Sequence, residues 1–255
     1  MDFFEFGRMC AALVMLGVAA ALDMRSRQVD DRLWMVFAAV AAALYFFDFA
    51  SLDPVAVALS VGLGGGAGYL LYRTGLFGGA DALALAVLSA ILPTYDGRFV
   101  IAAAVAAGGN APLVHSIVPL MVLSNAILLS LVRIFANVAR NAQYSFRHPA
   151  GLFAGLEQES AGRKALAVML GHRSDGSGFG FLMETREGKG STRRFDFTLK
   201  NAEETPFESR KGVWVMPGIP FLLYMLAGLA AMIFVGDLAY MLISSTAAAG
   251  GLLPQ

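Results

Sequence analysis

The sequence predicts a polytopic α-helical membrane protein of about six transmembrane helices, with a small α+β cytoplasmic domain inserted before the last helix. Three observations carry that reading. Hydrophobic residues make up 57% of the chain and charged residues only 15%, where soluble domains carry about 25% charged. Several apolar runs approach the roughly 20 residues that a helix needs to cross about 30 Å of hydrocarbon. Polarity rises abruptly near residue 140 and falls again near residue 212. Disorder is excluded, and an ordinary water-soluble enzyme is a poor fit.

The first span is residues 3–22, interrupted only by Glu5, Gly7 and Arg8. Its acidic start lacks the positive flank of a secretory signal, so it reads as a retained anchor despite the Ala19-Ala20-Ala21 run that mimics a cleavage site. Residues 33–47 form the second span. Residues 54–72 form the third, whose Gly62, Gly64, Gly65, Gly66 and Gly68 allow close helix contact. A short fourth span runs from Asp81 to Leu92, where Pro93 should end it. Residues 100–107 fit a continuation, a re-entrant piece or an outer loop equally well. Residues 111–135 give a fifth span and residues 219–243 a sixth.

Residues 140–212 are rich in Gly, Ser, Arg, Glu and Lys and form the one candidate soluble module, between a membrane part at 1–139 and a final span with its tail at 213–255. Within it residues 155–170 can be helical. Residues 179–186 and 192–199 alternate apolar and polar, and the Gly188-Lys189-Gly190 turn between them predicts a hairpin. With the N-terminus outside, 17 of the 19 Lys and Arg residues fall in inner segments and only Arg8 and Arg98 outside. Short loops alone favour the same orientation, 4 to 2. The chain is therefore expected to be a multi-pass protein of the cell membrane, with the lipid bilayer as its immediate environment.

Formal charge is balanced, 19 basic against 19 acidic, so no global field recruits nucleic acid. The single cysteine, Cys10, sits in the first span as packing. With three scattered histidines, His115, His148 and His172, there is no metal-ligand spacing to read. No metal and no cofactor are expected. Gly64-Gly65-Gly66 lies inside an apolar span and makes a poor nucleotide loop.

Ionisable residues at the ends of apolar helices are costly and invite a functional reading. Asp23 closes the first span and Asp81 opens the fourth, behind Gly78, Gly79 and Ala80. The topology above puts both at the cytoplasmic boundary, where they can share one site. Two carboxylates at contact distance cannot both ionise. One can therefore serve as general base for a water while the other, protonated, serves as general acid for an amide carbonyl and its leaving amine. The glycines before Asp81 leave room for an extended peptide and allow an irregular helix start. Each carboxylate also has a plainer reading: Asp81 as an N-cap after a glycine turn, Asp23 as the polar edge of a span. Asp30 and Asp31 sit in a charged loop, Asp48 and Asp53 on the opposite face, and Asp237 at the outer end of the last span.

The segment from Asp23 through Met24-Arg25-Ser26-Arg27-Gln28-Val29-Asp30-Asp31-Arg32-Leu33 to Trp34 resembles the one that carries the first catalytic aspartate of the type IV prepilin peptidase group. Within that group it is most similar to the archaeal preflagellin (archaellin) peptidases of the FlaK type. Gly78-Gly79-Ala80-Asp81 resembles the GxGD signature of the second aspartate, with Ala80 in place of the second glycine. The order and spacing of the two parts, the six-span layout and the insertion before the last span extend the resemblance over most of the chain. Trp214-Val215-Met216-Pro217-Gly218-Ile219-Pro220-Phe221 is similar to a Pro-containing stretch of GxGD intramembrane proteases, and reads on its own as a helix start.

The resemblance implies an aspartic endopeptidase with Asp23 and Asp81 as its dyad. Its partners would be preflagellin (archaellin) or pilin-like precursors anchored in the membrane, which lose a short basic class III signal peptide at the cytoplasmic face. Asp30 and Asp31 are then a candidate reader of the basic leader. Without paired cysteines or a nucleotide motif, peptidase activity without methyl transfer is expected. Two other classes compete. A proton- or ion-coupled transporter predicts midplane charges and an inverted repeat; here the aspartates lie at one edge and no repeat is visible. A noncatalytic assembly factor working through residues 140–212 predicts that Asp23→Asn and Asp81→Asn leave function intact.

Overall fold

A computed structural model describes residues 3–48, 52–95, 117–148, 151–176, 179–187, 192–198 and 205–249. The unplaced segment at 100–107, the start of the fifth span and the 188–190 turn lie outside those residues. In chain order the helices are α1 (Phe3–Ser26), α2 (Asp31–Phe47), α3 (Pro54–Arg73), α4 (Gly79–Ile91), α5 (Val118–Ser130), α6 (Val132–Arg147), α7 (Ala161–Leu170), α8 (Phe221–Phe234) and α9 (Leu238–Ala249). The strands are β1 (His172–Arg173), β2 (Gly180–Leu182), β3 (Glu184–Glu187), β4 (Thr192–Phe195) and β5 (Trp214–Pro217). Contacts divide the chain into two compact units, Met1–Ser130 with Pro220–Gln255, and Leu131–Ile219.

The first unit is helical and apolar outside. Over its 20 residues α3 buries only Ser60, Gly64 and Gly68, while Val55, Leu59, Leu63, Tyr69 and Leu70 are exposed. That pattern is inside out for water and suited to lipid, where small residues make helix contacts and large apolar ones face the chains. Three helical stretches are long and apolar enough to cross a membrane among the described residues: Phe3–Ser26, Pro54–Arg73 and the 30-residue Val118–Arg147. A fourth exists if Phe221–Phe234 and the helix after it count as one. Among the described residues the expected six spans are not reached. At 1.5 Å per residue the 13 residues of α4 reach only about 20 Å.

The last span also departs from the single helix expected at 219–243. It bends by 64° between α8 and α9. Gly236, at φ 105, ends the first helix, and Asp237 caps the second by accepting from the backbone of Ala239 (2.9 Å) and Tyr240 (3.0 Å). Asp237 therefore sits at a break between two helices. Broken backbone among apolar helices needs partners, and buried Asn125 of α5 provides them. Its amide donates to Gly236 O (3.0 Å) and Gly228 O (3.3 Å), and its oxygen accepts from Leu238 N (2.9 Å).

Helix α4 lies at the centre, against α1, α2, α3, α5 and α8. Leu85 and Leu88 of α4 meet Met15, Leu16 and Ala19 of α1, Val122 of α5, and Met225 and Leu229 of α8 in one core. Two of the five α3 glycines make the close contacts expected of them. A Cβ on Gly64 would fall 2.8 Å from atoms of Ser89 and Pro119, and one on Gly68 2.9 Å from the carbonyl oxygen of Ala82; at Gly62, Gly65 and Gly66 it would meet nothing within 4 Å. Gly68→Ala is thus expected to push on the first turn of α4 and lower both stability and activity. Gly65→Ala should raise stability by up to about 1 kcal/mol through helix propensity alone. Melting in detergent micelles tests the pair: equal effects would refute the contact argument.

In the second unit β5 pairs antiparallel with β1 and β2, and β3 with β4. The expected hairpin is present over β3 and β4, but the segment predicted as its first strand is split. Phe181 pairs across to Met216, and the chain switches at buried Met183 to a second sheet. Residues 214–217 are therefore a strand of this unit rather than part of the last span. Helix α7 starts at Ala161, capped by Ser160, and not at 155, where Gly155 takes φ 81. Its last carbonyls are met from α6: Asn141 donates to Gly171 O (2.8 Å) and Asn137 to Met169 O (3.0 Å). Trp214 is fully buried among Leu156, Ala167, Met183 and Phe195.

His172 of β1 is held neutral. Burial first, and then the charges of Arg140 and Arg133 against the opposing Asp175, pull it down to about 4. A group bound less readily by protons when folded costs stability once the unfolded chain begins to protonate. The contribution is complete above the unfolded value near 6.5 and is lost as pH falls from there toward about 4. Trp214 fluorescence in a Trp34→Phe background should show this unit unfolding more easily at pH 5 than at pH 7.5. His172→Gln should flatten that dependence; an unchanged slope would refute the assignment.

Candidate active site

Asp23 stands in the last turn of α1, whose apolar stripe through Ala12, Leu16, Ala19 and Ala20 packs in the core. Four residues on, Arg27 donates its backbone N–H to the carbonyl of Asp23 (3.0 Å) and places Nη1 3.6 Å from Asp23 Oδ2. Arg27 is the single non-glycine residue with positive φ among the described residues, at 55°. Glycine is the usual occupant of such a helix end, and a Cβ there costs about 1–2 kcal/mol. Ser26 adds a link across the same turn, its hydroxyl donating to Leu22 O (3.0 Å) and Gln28 O (3.1 Å).

Asp81 is the third residue of α4. The N-cap is Gly78 in ordinary extended backbone, φ −73 and ψ 162, so the aspartate is not the cap itself. Its Oδ2 reaches back to accept the Gly78 N–H at 3.2 Å, satisfying one of the unpaired donors at the helix start. The backbone of Gly78 thus needs no glycine, and a Cβ there would make only an ordinary 3.6 Å contact with Asp81. Ala80, between the glycines and Asp81, packs against the apolar core of this unit. Phe77, just before Gly78, packs against Phe221 at the start of α8, with ring centroids 4.8 Å apart. Pro220 immediately precedes that helix, as its sequence suggested.

Helices α1 and α4 pack together, and Asp81 lies within electrostatic reach of both Asp23 and Arg27. The two helix ends that carry the sequence-derived pair thus belong to packed helices, and a cation that sequence reading did not single out stands beside Asp23. The signal was available: Asp and Arg at i and i+4 across a helix end. Asp30 and Asp31 do not join the pair. Asp30 is the N-cap of α2, accepting from Arg32 N at 2.9 Å, and both are exposed. No group of three or more His, Cys, Asp or Glu side chains able to hold a metal occurs among the described residues.

Chemically the arrangement offers two carboxylates at two helix ends, both half-buried. The model of the type IV leader peptidase family matches residues 10–134, which contain both aspartates, both glycine contacts of α3 and the hub helix α4. A second family model, archaeal Peptidase A24 C-terminus type II, matches residues 165–238, from within α7 to the break in the last span. No curated protein matches the chain.

Proposed function

The chain belongs to the type IV leader peptidase family, and from that membership we propose that it is an aspartic endopeptidase that removes the short basic leader of archaellin or pilin-like precursors at the cytoplasmic face of the membrane. That it is a membrane protease of prepilin-peptidase type follows from the family and the apolar helices. The archaeal C-terminal match supports an archaellin-type precursor as substrate. The observation that supports the mechanism is that Asp23 and Asp81 stand at the ends of two packed helices, α1 and α4, close enough for the charge of one to be felt by the other.

In the proposed reaction one carboxylate takes a proton from water as the oxygen attacks the scissile carbonyl. The other, protonated, donates to the carbonyl oxygen and the leaving nitrogen takes a proton as the C–N bond breaks. The hydrophobic helix of the precursor enters between helices while its basic leader stays in water near Asp30 and Asp31. The new N-terminus leaves unmethylated.

The test is cleavage of a membrane-embedded archaellin precursor by the purified protein in lipid, with the product N-terminus read by mass spectrometry. A product shortened at the junction of leader and helix, with no added methyl, supports the reading. No cleavage of archaellin or pilin-like precursors, or cleavage that survives Asp23→Asn, refutes it.

A further inference from the structure

We propose that Arg27 is a positioning residue for the aspartate pair: its guanidinium anchors the Asp23 carboxylate and supplies the positive charge that lets two carboxylates occupy one site at the membrane edge. This rests on the peptidase reading and deepens it. Three observations converge. The ion pair is 3.6 Å long and both side chains are largely sequestered, Arg27 at 16% and Asp23 at 15% exposure. The charge of Arg27 also reaches Asp81. The residue is held in left-handed backbone where glycine would fit better.

Charge arithmetic explains why a cation belongs there. Two carboxylates that share one proton carry one net negative charge, and an unbalanced charge beside hydrocarbon is expensive. Arg27 brings the trio to neutrality. Among the described residues the groups that bear on the pair are Arg27 beside Asp23, and from α4 the other carboxylate together with the Gly78 N–H. No second cation from a packed helix substitutes for it in that set.

The backbone conformation separates this role from a structural one. If Arg27 only ended the helix, Arg27→Gly would relieve the backbone and leave activity intact or improved. If its charge serves the pair, glycine relieves the backbone and still fails in catalysis.

The experiment measures steady-state cleavage of the archaellin precursor by wild type, Arg27→Lys, Arg27→Gln, Arg27→Gly and Asp23→Asn in lipid, with melting of each variant as a folding control. The expected result is a fall in kcat of about 100-fold for Gln and Gly, with KM little changed, a Gly variant at least as stable as wild type, and Lys recovering most of the loss. Full kcat in Arg27→Gly or Arg27→Gln, or a loss confined to KM, overturns the inference while the dyad stands. A wild type that cleaves no precursor, or an active Asp23→Asn, overturns the peptidase reading and this inference with it.

Discussion

Asp23→Asn and Asp81→Asn are each expected to slow precursor cleavage by about 10³- to 10⁴-fold, and the double variant is expected to be hardly slower than either single one. The reason is that the proposed pair works as a unit: a proton leaves water for one carboxylate while another arrives at the amide from its partner. Asparagine can do neither, so losing one member idles the other. The substitution is gentle on the fold. An amide at position 81 can still accept the Gly78 N–H through its oxygen, which preserves the start of α4. At position 23 it keeps an oxygen for Arg27. Single-turnover cleavage with excess enzyme isolates the chemical step. Losses that multiply in the double variant would mean two independent roles, and a fully active single variant would remove that residue from the mechanism.

The candidate pair was legible in the sequence because carboxylates are costly where these two stand. A carboxylate next to an apolar run has to be explained, and Asp23 and Asp81 were the two that lay on one side. Their neighbour Arg27 was not singled out because it shares a stretch with Arg25 and Arg32, and its i, i+4 spacing from Asp23 is informative only once the helix is known to end between them. The backbone conformation that distinguishes it leaves no mark in the sequence.

The apolar helices were equally legible, and their continuity was not. Hydropathy integrates composition over a window and is blind to a turn inside it, so 219–243 read as one span although Gly236 and Asp237 spell a helix end followed by a cap. The hairpin suffered a similar fate. Alternation over 179–186 is real, but at Met183 the chain passes from one sheet to another, a switch that a period of two cannot reveal. Close packing was predicted for five glycines and occurs at the two, Gly64 and Gly68, that are four residues apart and so share a face. Which face that was depended on where α4 and α5 lie.

Arg8 looked like an interruption of the first span, and its loss is expected to have the largest effect on stability of any single change in the helical unit. It is 2% exposed. Its Nη1 donates to the carbonyl of Ile91 (3.2 Å), Nη2 lies 3.7 Å from Asp48 Oδ2, and the guanidinium sits 4.6 Å from the centre of the Tyr45 ring. The carbonyl matters most, because α4 is too short to cross the hydrocarbon and its last carbonyls end where no water is expected to meet them. A guanidinium at the negative end of that helix is also attracted by its dipole. Arg8→Leu should therefore cost about 3–5 kcal/mol, the range for removing one member of a buried ion pair. Arg8→Lys should recover only part, since one ammonium cannot face the carbonyl, the carboxylate and the ring together. Unfolding in micelles is the measurement, and the double variant Arg8→Leu with Asp48→Leu is the decisive arm. Should the double variant regain wild-type stability, the ion pair alone was the cost; if it stays well below, the end of α4 is what Arg8 holds.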